Sequence, residues 1–126
     1  MKKHALLDVI RGGRCTVLGY GVSNRPLVEW LLRHGAGAVT VRDGKSLSDM
    51  ETSGDKAALD ALGVTLICGE NYLSGLSGDI IFRTPGIRPD LPEIKAALAA
   101  GAVLTSEMEL FLALTEADVI AISGSD

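Results

Sequence analysis

Short apolar runs rich in Val and Ile, at Cys15 to Gly19, Ala38 to Arg42, Val64 to Cys68, Asp79 to Phe82 and Ala102 to Leu104, alternate with stretches whose apolar residues recur every three to four positions. Runs of the first kind have the length of buried strands, and stretches of the second kind have the period of amphipathic helices. Their alternation predicts repeated βα units and a parallel sheet. A helix is expected from Asn24 to His34, with Leu27, Trp30, Leu31 and His34 on one face and Gly35 as its stop. Trp30 is read as a packing residue on that face. His34, at the helix end, is read as a side chain that bonds the last carbonyls.

The remaining elements follow from their punctuation. Lys56 to Leu62 has helical spacing, while Lys45 to Asp55, with Ser46, Ser48, Ser53 and Gly54, reads as a polar surface loop. Glu70 to Leu76 reads as a short helix or turn. Asp90, Pro92 and Glu93 form a helix start: a capping side chain, a proline where its missing N–H costs nothing, and an acid favoured by the helix dipole. Gly101 ends that helix. Ser106 and Glu109 have the spacing of a capping box, opening a helix whose Met108, Phe111 and Thr115 lie on one face with Leu104. A last apolar run, Val119 to Ile122, reads as another strand and leads only into Ser123-Gly124-Ser125-Asp126, so the chain is expected to be cut there.

Composition narrows the class. At 126 residues, 47% apolar and 22% charged, the chain is expected to form a packed core and one ordinary domain. The net charge of -4 argues against a nucleic-acid partner, and Lys2, Lys3, Arg11 and Arg14 read as a solvated flank. No apolar run nears the roughly 18 residues of a membrane span. A cytoplasmic monomer without a membrane partner is the simplest expectation. Cys15 and Cys68 have no CxxC or Cys/His spacing and read as free buried thiols, and no metal-ligand cluster is visible.

Candidate chemistry gathers at strand ends. Gly19 and Gly21 form a turn between a strand and a helix, where backbone N–H groups and the helix terminus favour an anion. A dinucleotide fingerprint wants a third small residue where Asn24 stands, so the turn alone leaves a nicotinamide cofactor and another diphosphate open. Asp43 ends the second strand, 22 residues after Gly21, where a carboxylate either accepts from sugar hydroxyls or makes an Asx-turn with Gly44. Lys45 either neutralises a phosphate or faces water. Thr84-Pro85-Gly86-Ile87 follows the fourth strand into the same crevice, with Arg83 beside it to meet a phosphate or an internal carboxylate. No Ser/His/Asp set or carboxylate pair is visible, so the pattern is a binding crevice without catalytic residues.

Taken in order, LGYGVSN, VRDGK, DIIFRTPGI and SEMELF followed by VIAISGSD resemble the amino-terminal domain of the Mur ligases, nearest to the members that add D-glutamate to UDP-N-acetylmuramoyl-L-alanine. The resemblance implies a Rossmann-like, doubly wound parallel sheet of about five strands with helices on both faces. It implies a UDP-binding domain over 1–117 and the start of a central ATPase domain over 118–126. Gly21, Val22 and Ser23 would hold the diphosphate. Asp43, Gly44 and Lys45 would lie beside the uridine, with Gly44 standing where the family has a hydroxyl residue and Lys45 where some members have arginine. Thr84 and Gly86 would face the uracil. Ser123, Gly124, Ser125 and Asp126 match the first half of the family's phosphate-binding loop, ahead of the Gly-Lys that reaches ATP. The fragment is thus expected to have no catalytic residue and no cofactor of its own. ATP, magnesium and D-glutamate would act in the rest of the enzyme, which would phosphorylate the substrate carboxylate and release ADP and phosphate. The alternatives are an NAD(P)-binding domain of an oxidoreductase and a non-catalytic nucleotide-binding module.

Overall fold

Strands of a parallel sheet are buried on both faces, so consecutive side chains must all be apolar or bonded. Val17-Leu18 and Ile80-Ile81-Phe82 meet this condition, and all five are fully buried. A computed structural model describes residues 3–21, 24–84, 86–112 and 114. In chain order its elements are α1 (Lys3–Ile10), β1 (Arg14–Leu18), α2 (Asn24–Arg33), β2 (Ala38–Asp43), α3 (Leu47–Thr52), α4 (Asp55–Leu62), β3 (Thr65–Cys68), β4 (Ile80–Phe82), α5 (Pro92–Ala99) and β5 (Val103–Thr105). Residues 107–112 are helical as well.

The five strands form one sheet in the order β3-β2-β1-β4-β5, every pair parallel. Register runs from Arg14 opposite Ala38 to Leu18 opposite Arg42 on one side of β1, and from Cys15 opposite Ile80 to Val17 opposite Phe82 on the other. The chain steps outward from β1 to β3, then returns past β1 to β4. Right-handed crossovers place connections made before and after that reversal on opposite faces. Two separate apolar clusters reflect this. One joins Cys15, Val17, Ile80 and Phe82 to Leu6 and Ile10 of α1, Leu27, Val28 and Leu31 of α2, Met50 of α3 and Leu59 of α4. The other joins Leu18 and Ile81 to Ile94 and Ala97 of α5 and to Leu73 and Leu76. The Rossmann-like, doubly wound architecture expected from the sequence is present.

Three local expectations change. The basic flank carries α1, whose Leu6 and Ile10 stand one helical turn apart and are both buried. The polar stretch from Lys45 to Asp55 contains α3, capped by Ser46 Oγ, which accepts from the Asp49 N–H at 3.1 Å. Only Met50 of α3 is buried, so its sequence has almost no apolar period to announce it. Asp90 does not cap α5: Leu91 is the N-cap residue without a side-chain bond, and Asp90 pairs with Arg88 at 2.7 Å. Pro92 does open the helix. Ser106 Oγ accepts from the Glu109 N–H at 3.1 Å, whereas the Glu109 carboxylate takes the Thr105 hydroxyl at 3.0 Å.

On the last helix Met108 is exposed and Leu110 is the buried residue, so the expected face is displaced; several other readings stand. His34 Nδ1 donates to the Trp30 carbonyl at 2.8 Å, and its ring stacks on Trp30 with centroids 3.9 Å apart. Trp30 packs against the first cluster and meets Phe111 edge-on. Both cysteines are free thiols, Cys15 buried and Cys68 half-buried. Glu70 to Leu76 forms turns rather than a helix. No described helix is long and apolar enough to cross a membrane. Val119 to Ile122 lie outside the described residues.

Candidate functional site at the switch point

Where strand order reverses, between β1 and β4, the loops leaving adjacent carboxyl ends separate and leave a crevice. Three loops reach that edge: Gly19-Tyr20-Gly21 after β1, Gly44-Lys45 after β2, and Arg83 to Ile87 after β4. Gly19 has φ 91°, a left-handed conformation open to glycine, and its N–H donates to the Arg42 carbonyl at 2.6 Å. A Cβ on Gly19 would lie 3.6 Å from Thr84 Cγ2, so the first and third loops run side by side. A Cβ on Gly21 or Gly86 would meet nothing within 4 Å, which leaves both backbones open on that side.

Asp43 ties the first loop to the second. Its Oδ2 accepts the Tyr20 N–H and its Oδ1 the Lys45 N–H, each at 2.9 Å, and the residue is 8% exposed. The Asx-turn of the local reading is therefore present, and the second oxygen reaches across to the glycine turn. Asn24 braces the same turn from below. It is buried, and its amide donates to the carbonyls of Gly19 at 2.8 Å and Leu18 at 3.3 Å. A side chain stands where a dinucleotide fingerprint wants a small residue because its amide satisfies carbonyls released at the end of β1. Arg83 donates to the carbonyls of Ile87 at 3.2 Å and Thr84 at 3.4 Å, so it stiffens its own loop.

Two arginines that sequence reasoning left unassigned complete the frame. Arg42, buried in β2, donates through Nη1 to the carbonyls of Tyr72 (2.9 Å) and Ser74 (2.8 Å) and through Nη2 to that of Gly75 (3.2 Å). Burial draws its pKa below the ordinary guanidinium value. The connection from β3 to β4 lacks a helix to satisfy its own carbonyls, and Arg42 supplies the missing donors. A charged residue inside an otherwise apolar strand was the available signal. Arg25, at the start of α2, pairs with buried Asp55 at 2.9 Å and lies 5.5 Å over the Tyr20 ring. Burial also raises the Tyr20 pKa, keeping its phenol neutral.

The structure thus brings Gly21, Asp43, Gly44, Lys45, Thr84 and Gly86 to one edge of the sheet. Val22, Ser23, Ser123, Gly124, Ser125 and Asp126 lie outside the described residues. Among the described residues, no group of three or more His, Cys, Asp or Glu side chains is placed to hold a metal ion. Lys45 and the start of α2 carry positive charge that can orient an anion, and among the described residues of these loops no nucleophile is paired with a base.

The chain is thus a Rossmann-like α/β domain with its candidate site at the switch point. A chorismate mutase/shikimate 5-dehydrogenase fusion protein from Clostridium acetobutylicum has this fold, with a TM-score of 0.54, 18% identity, and coverage of 88% of this chain and 48% of that one. No protein-family model matches the chain. Curated relatives are more specific. The UDP-N-acetylmuramoylalanine--D-glutamate ligase of Ruminiclostridium cellulolyticum is 49% identical over 118 residues, which is 93% of this chain and 25% of the relative. Ligases of the same name from Clostridium botulinum strains Loch Maree and Hall are 45% and 44% identical over 120 residues, which is 94% of this chain and 26% of each relative. Along nearly its whole length the chain is similar to the amino-terminal quarter of these ligases, and it spans about a quarter of their length.

Proposed function

We propose that this chain anchors the uridine diphosphate of UDP-N-acetylmuramoyl-L-alanine in a cytoplasmic, ATP-dependent ligase of peptidoglycan synthesis that adds D-glutamate. The observation that carries the reading is the 44–49% identity to such ligases across nearly the whole chain. The crevice geometry supports it, since three strand-end loops converge where a phosphate-bearing ligand of this fold class binds. In this reading Gly21, Val22 and Ser23 receive the diphosphate ahead of α2, where the helix dipole favours negative charge. Gly44 and Lys45 flank the uridine, and Thr84 and Gly86 close its uracil side. Asp43 holds the N–H groups of Tyr20 and Lys45, so its part is to position both loops. ATP, magnesium and D-glutamate act in the three quarters of the parent beyond this region. The contribution of this domain to rate is orientation of a substrate whose reacting carboxylate lies elsewhere.

Isothermal titration of the 126-residue chain with UDP, UDP-N-acetylmuramoyl-L-alanine and NAD tests the proposal. Saturable binding of both uridine compounds is expected. Saturable NAD binding with no heat from either uridine compound would overturn it in favour of an oxidoreductase domain.

A further inference from the structure

The residue over Gly44 is Tyr72, and nothing in the local sequence marks it as part of the crevice. A Cβ on Gly44 would lie 3.3 Å from Tyr72 Cε1, 3.6 Å from Cδ1 and 3.8 Å from Cζ, so one edge of the ring borders the space a side chain at position 44 would fill. Tyr72 is half-buried. It packs at the rim of the second apolar cluster, and Leu73 and Leu76 anchor its loop in that cluster. The loop is fixed at both ends to the strand that carries the site. Gly69 donates to the Asp43 carbonyl at 3.0 Å, and Tyr72 donates to the Gly69 carbonyl at 3.2 Å. Arg42 holds the carbonyls of Tyr72, Ser74 and Gly75 from beneath.

We infer that Tyr72 is a specificity-determining residue of the crevice, its ring being the wall on which the pyrimidine base of the nucleotide packs. The inference rests on the uridine-diphosphate reading above and deepens it. A planar base brings no charge to this side of the site, and Gly44 offers it no side chain. An aromatic wall supplies the missing contact area, because a phenol ring is large, rigid and loses little rotamer freedom. Rigidity matters here. A loop fixed through Arg42 and the Asp43 backbone, with the ring packed at the rim of the second cluster, is in place before the ligand arrives, so little ordering is charged to binding. The same contact requires glycine at position 44, since a methyl group there would push the ring by a few tenths of an ångström.

The test is solution NMR and titration on the 126-residue chain with UDP. Uracil H5 and H6 are expected to show NOEs to Tyr72 ring protons and upfield ring-current shifts on binding. Y72A is expected to weaken UDP binding about 5- to 100-fold, the range for removing one base–aromatic stack. Y72F is expected to stay within about twofold of the native chain, and G44A to fall between the two. UDP binding to the native chain without NOEs to Tyr72, or Y72A with unchanged affinity, would overturn the inference while leaving the uridine-diphosphate reading intact. Absence of UDP binding to the native chain would overturn both.

Discussion

Asp43 carries more of the site than its position at a strand end reveals. One carboxylate holds two backbone N–H groups from two loops, one of them on buried Tyr20. Leaving such donors without a partner costs on the order of 1–3 kcal/mol each. D43A is therefore expected to lower unfolding free energy by about 2–4 kcal/mol, and D43N by roughly half as much, because an amide keeps one acceptor and turns a donor toward the other N–H. Urea denaturation of the two variants checks the order. The two thiols also separate at this scale. Burial, with a smaller contribution from Asp79, pushes the Cys15 pKa from 9.0 up to about 12. An acid whose pKa is raised in the folded state favours folding fully below the unfolded value and loses that contribution as pH climbs through the folded one. The Cys15 contribution is thus complete below about pH 9 and fades between 9 and 12. At pH 8 a thiol reagent is expected to modify Cys68 in the native chain and both cysteines after denaturation, measured by mass spectrometry of the labelled peptides.

At the scale of elements, glycines divide into those that let segments interlock and those that leave backbone open. Gly13 ends the turn after α1, and a Cβ there would lie only 2.0 Å from the Val9 carbonyl oxygen. Gly37 precedes β2 in a similar lock, with a Cβ position 2.5 Å from the Gly12 carbonyl oxygen. Hydrogen bonds from Gly12 to Gly35 and from Gly37 to Gly13 join these two turns below the sheet. G13A must displace α1 and is expected to cost more than about 2 kcal/mol, whereas G21A, open on that side, is expected to change stability by less than about 0.5 kcal/mol. Thermal unfolding of both compares them directly. The lock also explains why the basic amino-terminal segment was hard to read. Its helix is short, and only Leu6 and Ile10 mark a buried face; what holds it is a glycine contact with residues some two dozen positions later.

For the whole molecule, the sheet order sets both stability and function. Among the described residues β1 is the central strand, hydrogen-bonded by β2 and β4, while β3 and β5 are the outermost. Amides that open only with global unfolding exchange most slowly. Native-state hydrogen exchange is expected to be slowest at β1, from Cys15 to Leu18, and faster at β3 and β5. Slower exchange at β5 than at β1 would contradict the topology. The same order puts the glycine turn, Asp43 and Thr84 at the carboxyl end of the sheet, so the central strand carries the loop proposed to receive the diphosphate.

Sequence alone determined the strands to within about a residue, the helices α2, α4 and α5, the parallel α/β class and the three loops of the crevice. Each of these has a local cause: an apolar run, a helical period, a proline or glycine at a boundary. Arg42, Asn24 and Tyr72 had no such mark, because each acts on atoms far along the chain or on carbonyls whose need is visible only once the strands are paired. Arg42 is the clearest case: as a letter it is a charge closing a strand run, and its purpose appears when the turns from Tyr72 to Gly75 come to lie against it. What the tertiary structure decided was partnership. A buried donor or acceptor must be satisfied, and the fold selects which distant group does it.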